Sequence, residues 1–271
     1  SSTLSRHQPG VSKKLLTVPA KASSYSLSAP KKLKVMTYNV LGKQFFRRRF
    51  PNYPNENDRA RILSIIKRED PDILVIQEAP TAVGGLLKEK WIQDVKNTCD
   101  FVTYYVGDVE RKNTVNVFSK YAFDKNKFVT NKQDSSKLSK LRQVFLGRLD
   151  EFNITFVGMH AAHGLKDLHD LELAVTHSDG IFDDSDFKGG VIWAGDFNRA
   201  VGEIRKHGKF GPFQGIHQTN TNTRNDVKDH KQYNDPKDFI LYKNIKRISE
   251  HIINKEHVGT DHAPVVSVFQ I

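Results

Sequence analysis

The sequence has one cysteine, no long apolar run and no acidic residue in its first 34 positions. The single cysteine, Cys99, excludes an intrachain disulfide framework and a cysteine-based zinc site. No stretch of about 18 apolar residues is present, so no transmembrane segment is predicted. The phosphate-binding lysine loop, the dinucleotide glycine fingerprint and the serine elbow are also absent. The candidate functional residues that remain are acids, amides and histidines.

Positive charge is concentrated at the N-terminus. The chain of 271 residues has a formal net charge of +11. Residues 1–34 carry seven lysines and arginines, which leaves +4 for the other 237 residues. We therefore expect residues 1–34 to form a flexible basic Ser- and Lys-rich segment, which is a bland tail, a targeting segment or a secretion segment, and 35–271 to form the folded domain. The overall charge favours polyanionic partners, but the mildly basic body is only a weak argument for nucleic acid.

Apolar patterning predicts strands that alternate with helices at both ends of the chain, around a strand-rich middle. Helices are predicted over 57–70, 84–97 and 165–178. Strands are predicted over 33–40, 71–79, 101–107, 114–120, 127–130, 142–149, 153–160, 189–196, 238–243 and 263–271. This order favours an α/β architecture with two sheets over a single parallel sheet.

Polar side chains recur at the ends of the predicted strands. Five of them follow an apolar run: Asn39, Glu78, His160, Asp196 and Asn198. Asp238 starts a predicted strand, and Asp261 and His262 stand before the last one. Each has a structural alternative, such as a side-chain turn for an acid or amide, or a satisfied core histidine for His160. Because open sheets gather ligand and catalytic groups at strand ends, the joint pattern predicts one functional site.

These residue types favour metal-assisted hydrolysis of a phosphoester. Glutamate and aspartate are hard oxygen ligands for Mg²⁺, with Mn²⁺ or Ca²⁺ as alternatives. Two histidines supply an acid and a base near neutral pH, and asparagine amides can donate hydrogen bonds to phosphate oxygens. A histidine-rich zinc site that includes His160 and the histidines shortly after it is a weaker alternative. The inventory therefore predicts metal-assisted attack of water on phosphorus.

A basic-aromatic segment follows the first predicted strand. KQFFRRRF, residues 43–50, combines Arg47 and Arg48 with three phenylalanines. The arginines would clamp phosphates while the phenylalanines stack on bases, or the segment is a solvated basic loop with its aromatics packed inward. Arg199, directly after GDFN, would extend the same surface.

Six motifs occur in a fixed order within residues 35–271: TYNV, VIQEA, MHAAHG, AGDFNRA, DFILY and TDHAPV. Their order resembles that of the endonuclease/exonuclease/phosphatase superfamily, whose type member is pancreatic-type deoxyribonuclease I. The nearest likeness is to the active B subunit of cytolethal distending toxin, through the His-Ala pair at 160–161, GDFNR and Arg142. Tyr38 departs from the pattern, because relatives usually have Trp there. The resemblance implies a DNase I-like four-layer α/β sandwich, with two packed mixed β-sheets flanked by helices.

The resemblance also implies a metal site and a catalytic histidine. Glu78 would bind the divalent metal, Mg²⁺ in the first place, with help from Asn39 and Asp261. Asp238 would orient His262 by holding one ring nitrogen. His262 would then help to activate water or contact the scissile phosphate.

The remaining implied roles concern the phosphate. Asp196 would be the alternative base that activates water, and Asn198 would hold the phosphate and position that water. His160 would donate to a phosphate oxygen or protonate the leaving group. Arg142 would bind the substrate, and Arg111 is a candidate for the phosphate-binding arginine in RKNTVNVFSK, which matches the toxin pattern loosely.

The function that the resemblance implies is a metal-dependent endonuclease that nicks DNA. A phosphoinositide or lipid phosphatase, or a sphingomyelinase-type enzyme, would use the same residues, and a non-catalytic binding module is a third interpretation. The expected role is a secreted bacterial effector or genotoxin that acts inside a target cell, with delivery subunits as partners. A nuclear enzyme is the alternative.

Overall fold

Thirteen β-strands and three α-helices make up the described part of the chain in this computed structural model. The described residues are 31–40, 56–79, 86–107, 115–130, 143–161, 180–199, 201–206, 212–215, 224–225, 232–233, 236–256 and 258–271. Lys31–Ile271 form one compact unit. None of the described helices is long and apolar enough to cross a membrane. The predicted helix 165–178 and residues 1–30 lie outside the described residues.

The first sheet has six strands. They are β1 (Lys32–Asn39), β2 (Ile73–Gln77), β3 (Thr103–Val106), β4 (Val115–Ser119), β12 (Lys246–Ile252) and β13 (Val265–Gln270). Their order in the sheet is β12-β13-β1-β2-β4-β3. β1 and β2 are its one parallel pair, so their carboxyl ends, at Asn39 and Gln77, lie at the same edge.

The second sheet has five strands. They are β5 (Lys125–Thr130), β6 (Gln143–Leu149), β7 (Ile154–His160), β8 (Gly190–Asp196) and β11 (Asp238–Lys243). Their order is β11-β8-β7-β6-β5, with β7 and β8 as the parallel pair. The register sets His160 and Asp238 on either side of Asp196. A separate two-stranded ladder joins β9 (Arg224–Asn225) to β10 (Gln232–Tyr233).

Alternating side chains divide the core into three apolar layers. Val35 and Phe145 belong to the layer that the two sheets share. Tyr38 belongs to the layer beneath helices α1 (Glu56–Glu69) and α2 (Leu86–Lys96), on the other face of β1. Trp193 and Ile204 belong to the layer beneath helix α3 (Val201–Lys206), on the outer face of the second sheet. Two packed mixed sheets flanked by helices confirm the predicted fold class.

Two glycines allow close approach beneath the strand ends. A Cβ atom at Gly158 would lie 3.2 Å from Val75 Cγ1, which is tight, so the absent side chain lets the sheets pack closely. A Cβ atom at Gly195 would lie 2.0 Å from the carbonyl oxygen of Met159. This clash requires glycine directly before Asp196, so β8 can lie against β7 where both strands reach the site.

Two strands differ from the sequence expectations: β12 is not predicted, and β1 begins earlier than the predicted domain. The patterning of residues 246–252 predicts no strand, yet β12 forms there because an edge strand is held by pairing with β13 while most of its side chains stay exposed. β1 begins at Lys32, inside the stretch assigned to the N-terminal segment. Lys32 is exposed while Leu33 is buried, so the lysine-rich entry still follows strand alternation.

Candidate active site

The carboxyl ends of β1, β2 and β8 bring predicted site residues into direct contact. The side-chain amide of Asn39 donates from Nδ2 to Glu78 Oε1 at 3.2 Å. The same nitrogen lies 3.0 Å from Asp196 Oδ2. The second bond crosses from the first sheet to the second. Asn39 therefore fixes the separation of two carboxylates that belong to different sheets.

Glu78 is held in an unusual backbone conformation. Its φ is +52°, and it is the one residue other than Asp or Asn among the described non-glycine residues with positive φ. A positive φ strains the backbone of a glutamate, because its side chain does not stabilise this conformation locally. Residues with such strain are concentrated at functional sites. Burial raises the pKa of Glu78 to about 7, Asp261 and Asp196 add to the shift, and His262 and Asn39 oppose it. Burial thus makes the ionised form of this carboxyl group costly unless a cation offsets it.

His160 lies between two carboxyl groups at the end of β7. Its Nε2 atom is 3.7 Å from Glu78 Oε1 and 3.6 Å from Asp196 Oδ2, and the residue is 3% exposed. Burial by itself would raise the pKa of Asp196. The charges of His262 and His160, with hydrogen bonds from Asn39 and the Asn198 backbone, hold that pKa below its usual value. Asp196 is therefore an ionised acceptor beside an imidazole.

His262 is paired with Asp238, as the sequence expectation required. The Nδ1–H group donates to Asp238 Oδ2 at 2.7 Å, and Nε2 is 3.7 Å from Asp261 Oδ1. Burial disfavours a charged imidazole, but Asp238, Asp261 and Asp196 outweigh it and raise the pKa of His262 well above its usual value. His262 is therefore an imidazolium held in a fixed orientation at neutral pH.

Asn198 turns the chain away from β8. Its φ is +48°, which asparagine tolerates, and its backbone N–H donates to Asp196 Oδ1 at 2.8 Å. Its side-chain Nδ2 donates to the carbonyl oxygen of Ala161 at 2.6 Å. This hydrogen bond uses one N–H of the amide and anchors the side chain beside the end of β7. The Asp-x-Asn sequence thus ends β8 in a turn that holds Asp196 and Asn198 beside the end of β7.

A comparison of the sequence with family models places the chain in one family. The model of the Endonuclease/Exonuclease/phosphatase family matches residues 36–262. The chain belongs to this family. Its members are divalent-metal-dependent phosphoester hydrolases. No curated protein sequence matches the chain.

Solved structures of the endonuclease/exonuclease/phosphatase fold superpose on most of the chain. A family protein from Bacteroides thetaiotaomicron has a TM-score of 0.68 at 15% identity, over 89% of this chain and 98% of that one. A mannosyl-6-phosphatase from B. thetaiotaomicron VPI-5482 has a TM-score of 0.68 at 14% identity, over 88% and 100%. TDP2 from Caenorhabditis elegans has a TM-score of 0.62 at 12% identity, over 89% and 75%. These likenesses confirm the predicted fold, and the match to the family model confirms the predicted superfamily.

The residues at the strand ends fit the divalent cation that the family uses. Asp196, Asp238 and His262 offer donor atoms within 4.8 Å of one another, so this group could bind a metal. However, the Nδ1 atom of His262, which faces both aspartates of this group, is already used in the hydrogen bond to Asp238. Glu78 and Asp261 also fit a hard cation, because carboxylate oxygens suit it and a bound cation would offset the burial that raises the pKa of Glu78.

Of the five predicted substrate-binding arginines, the structure describes only Arg199. Arg199 is 4% exposed, so its side chain is buried and does not extend an open basic surface, while its substrate contact stays a prediction. Arg47, Arg48, Arg111 and Arg142 lie outside the described residues, and their substrate contacts stay predictions.

One polar residue beside the site is not found by the strand-end pattern. Thr260 is buried, and its hydroxyl donates to the carbonyl oxygen of Asn39 at 2.8 Å. The signal in the sequence is its position directly before the Asp261-His262 pair. Threonine in a loop usually has a turn role, so only the fold shows that this hydroxyl reaches β1.

Proposed function

We propose that this chain is a divalent-metal-dependent phosphodiesterase of the DNase I type, an endonuclease that nicks DNA. One observation carries the proposal. Two histidines and four carboxyl groups from both sheets form one cluster of contacts at the strand ends: His160, His262, Glu78, Asp196, Asp238 and Asp261. Family membership supplies the reaction class, and this cluster supplies the groups that such a reaction needs.

Glu78 and Asp261 would hold the cation, with the Asn39 side chain beside them. A bound divalent cation supplies electrostatic stabilisation for the negative charge that develops on the phosphoryl oxygens. The Asn39 amide donates to both Glu78 and Asp196, and so would place Glu78 for the cation and Asp196 for proton transfer.

His262 and His160 would act on the two sides of the phosphorus. The charged His262 ring, fixed by Asp238, presents Nε2–H to a phosphate oxygen. Asp196 is ionised, so it accepts the proton of the attacking water. His160 Nε2, 3.6 Å from Asp196, donates a proton to the leaving oxygen. Asn198, anchored by Ala161, keeps the second N–H of its amide for the phosphate.

The basic-aromatic segment KQFFRRRF is what favours DNA as the substrate, because it begins four residues after Asn39. The net charge of +11 comes mostly from residues 1–34 and adds only a weak argument. The second candidate is a phosphomonoester of a lipid or sugar, supported by the fold likeness to a mannosyl-6-phosphatase. A secreted effector role with delivery subunits, and its nuclear alternative, stay predictions.

Nicking of supercoiled plasmid tests the proposal. We expect nicking with Mg²⁺, none with EDTA, and a loss of about 10²–10⁴-fold in the variants His160→Ala and His262→Ala. The matched control is His251→Ala, because His251 is an exposed histidine that pairs with Glu69 away from the site. If either site variant keeps more than about a tenth of the rate, its assigned role is wrong.

A phosphate-release panel run in parallel separates the two substrate classes. It should contain phosphoinositides and sugar phosphates, with the same variants and EDTA controls. Phosphate release that depends on His160, without nicking, would replace the nuclease by a phosphomonoesterase. Silence in both assays with a folded protein would overturn the enzyme proposal.

A further inference from the structure

The hydroxyl of Thr260 joins two parts of the site that come from different ends of the chain. It donates to the carbonyl oxygen of Asn39 at 2.8 Å, and it accepts from the backbone N–H of His262 at 3.4 Å. Thr260 is 2% exposed, so water does not compete for these contacts. One buried side chain therefore links the end of β1 to the loop that carries Asp261 and His262.

The same loop is also held by contacts at Val258 and Gly259, directly before Thr260. The Tyr38 hydroxyl donates to the carbonyl oxygen of Val258 on the helix side of the sheet. Gly259 has a φ of +72°, and a Cβ atom there would lie 2.7 Å from the carbonyl oxygen of Asp58 in α1. The loop thus enters tightly between α1 and β1. From there Thr260 directs it toward the cleft.

We propose that Thr260 is a positioning residue that couples the Asn39–Glu78 side of the site to the His262–Asp238 pair. The coupling rests on the proposed function, because it assumes that both sides act on one phosphate. The Asn39 side chain fixes Glu78 and Asp196, and its backbone carbonyl fixes Thr260. Thr260 thus adds a direct link, beside the Asn39–Asp196 bond, by which a change in one half reaches the other.

The size of the expected effect follows from the geometry of catalysis. A misplacement of about 1 Å costs on the order of 10²-fold in rate, even when no reacting group is removed. Valine has the shape of threonine without the hydroxyl, so Thr260→Val removes both contacts and keeps the packing. Thr260→Ser keeps the hydroxyl and should restore function.

The control is a second buried threonine at the other end of the sandwich. Thr155, near the start of β7, is fully buried, and its hydroxyl donates to the carbonyl oxygen of Asp186. Thr155→Val therefore removes an equivalent buried hydroxyl five residues before His160 in the strand. It should cost at least as much stability as Thr260→Val, since Arg148 also donates to this hydroxyl.

Two readouts that do not need catalysis test the positioning. In the metal-free full-length protein, long-range proton–nitrogen NMR should show the His262 Nδ1 proton bonded to Asp238 in the wild type. In Thr260→Val that signal should shift upfield or broaden, and in Thr260→Ser and Thr155→Val it should not. Calorimetric Mn²⁺ binding should weaken about 10-fold in Thr260→Val alone, because Asp261 loses its fixed place.

Nicking kinetics complete the test. We expect kcat to fall about 10- to 100-fold in Thr260→Val with little change in KM, and to stay within about threefold in Thr260→Ser. A wild-type His262 signal with wild-type Mn²⁺ affinity in Thr260→Val would overturn the proposal, as would an equal kcat loss in Thr155→Val. If valine prevents folding, Thr260→Ala makes the same comparison. If the wild type does not nick DNA, the proposed function fails, while the NMR and Mn²⁺ readouts still decide the positioning role.

Discussion

The two ends of β7 each carry a buried polar cluster, and the two clusters differ in how their charges are matched. At the Thr155 end, Arg148 is 7% exposed, and each part of its guanidinium has a partner. Nε donates to Asp150 at 2.9 Å, Nη2 to Asn153 Oδ1 at 2.5 Å, and Nη1 to the Thr155 hydroxyl at 3.2 Å and the Asp186 carbonyl at 3.0 Å. This buried charge is satisfied within the protein.

At the His160 end, negative charge exceeds positive charge. Four carboxyl groups meet two histidines: Glu78, Asp196, Asp238 and Asp261 with His160 and His262. The pKa of Glu78 rises to about 7 by burial, and that of His262 rises well above its usual value through its acidic neighbours. Buried ionisable groups with shifted pKa values lower the stability of a protein, and they are found mainly where function requires them. The contrast separates a cluster that stabilises the fold from one that performs chemistry.

The largest expected difference between the clusters is in activity. Asp196→Asn keeps the shape of a buried acid and removes its charge, so phosphoester hydrolysis should fall at least about 10²-fold. Asp186→Asn is the matched change at the other end, where a buried acid pairs with Lys125 at 2.7 Å. Its rate per folded molecule should equal that of the wild type. Equal losses in both variants would erase the functional distinction between the ends.

The second expected difference is in stability. Arg148→Met removes the buried hydrogen bonds to the Thr155 hydroxyl and the Asp186 carbonyl and the ion pair with Asp150, and should lower the free energy of unfolding by about 1–3 kcal/mol. Urea denaturation measures this loss, and kcat of the folded fraction should not change. A large fall in kcat at full folding would show that the Arg148 cluster acts on the site.

The third expected difference is a pH dependence at the site alone. The folded pKa of Glu78, about 7, lies above its ordinary 4.5, so ionisation opposes folding. The free energy of unfolding of the metal-free protein should therefore fall between pH 4 and pH 7 on account of this group. Glu78→Gln should remove the loss, with a gain of up to about 3 kcal/mol at pH 8 and almost none at pH 4. Urea titrations at both pH values decide it, and a destabilised Glu78→Gln at pH 8 would contradict this account.

The smallest expected effect is stabilisation by the cation. Mn²⁺ or Mg²⁺ at about 100 times Kd should add about 2.7 kcal/mol at pH 8. The gain should be smaller at pH 5.5, because a protonated Glu78 competes with the cation. Thermal melts with and without EDTA measure it, and Glu78→Gln should abolish it. Arg148→Met, which leaves the site intact, should melt lower but keep the full metal shift.

The sequence is informative about the site because its polar residues stand at strand ends. Asn39, Glu78 and His160 each interrupt an apolar run, and the register of the sheets then brings them together. The bond between Asn39 and Asp196 joins two sheets, and no spacing in the sequence predicts it.

What patterning misses is set by long-range contacts. β12 is an exposed edge strand whose pairing with β13 defines it, so apolar periodicity does not detect it. Arg199 follows GDFN like a substrate-binding residue, but the fold buries its side chain. Thr260 looks like a turn residue until β1 is placed beside it. In each case the deciding partner is distant in the sequence.

The most direct test of the central claim is hydrolysis of a minimal phosphodiester, bis(p-nitrophenyl) phosphate, which does not depend on DNA recognition. The purified full chain should be assayed with Mn²⁺ and with EDTA, beside Asp196→Asn and Asp186→Asn. We predict metal-dependent release of p-nitrophenol by the wild type and Asp186→Asn, and a loss of at least about 10²-fold in Asp196→Asn. Hydrolysis that persists in EDTA, or that survives in Asp196→Asn, would contradict the assignment of the active site to this cluster.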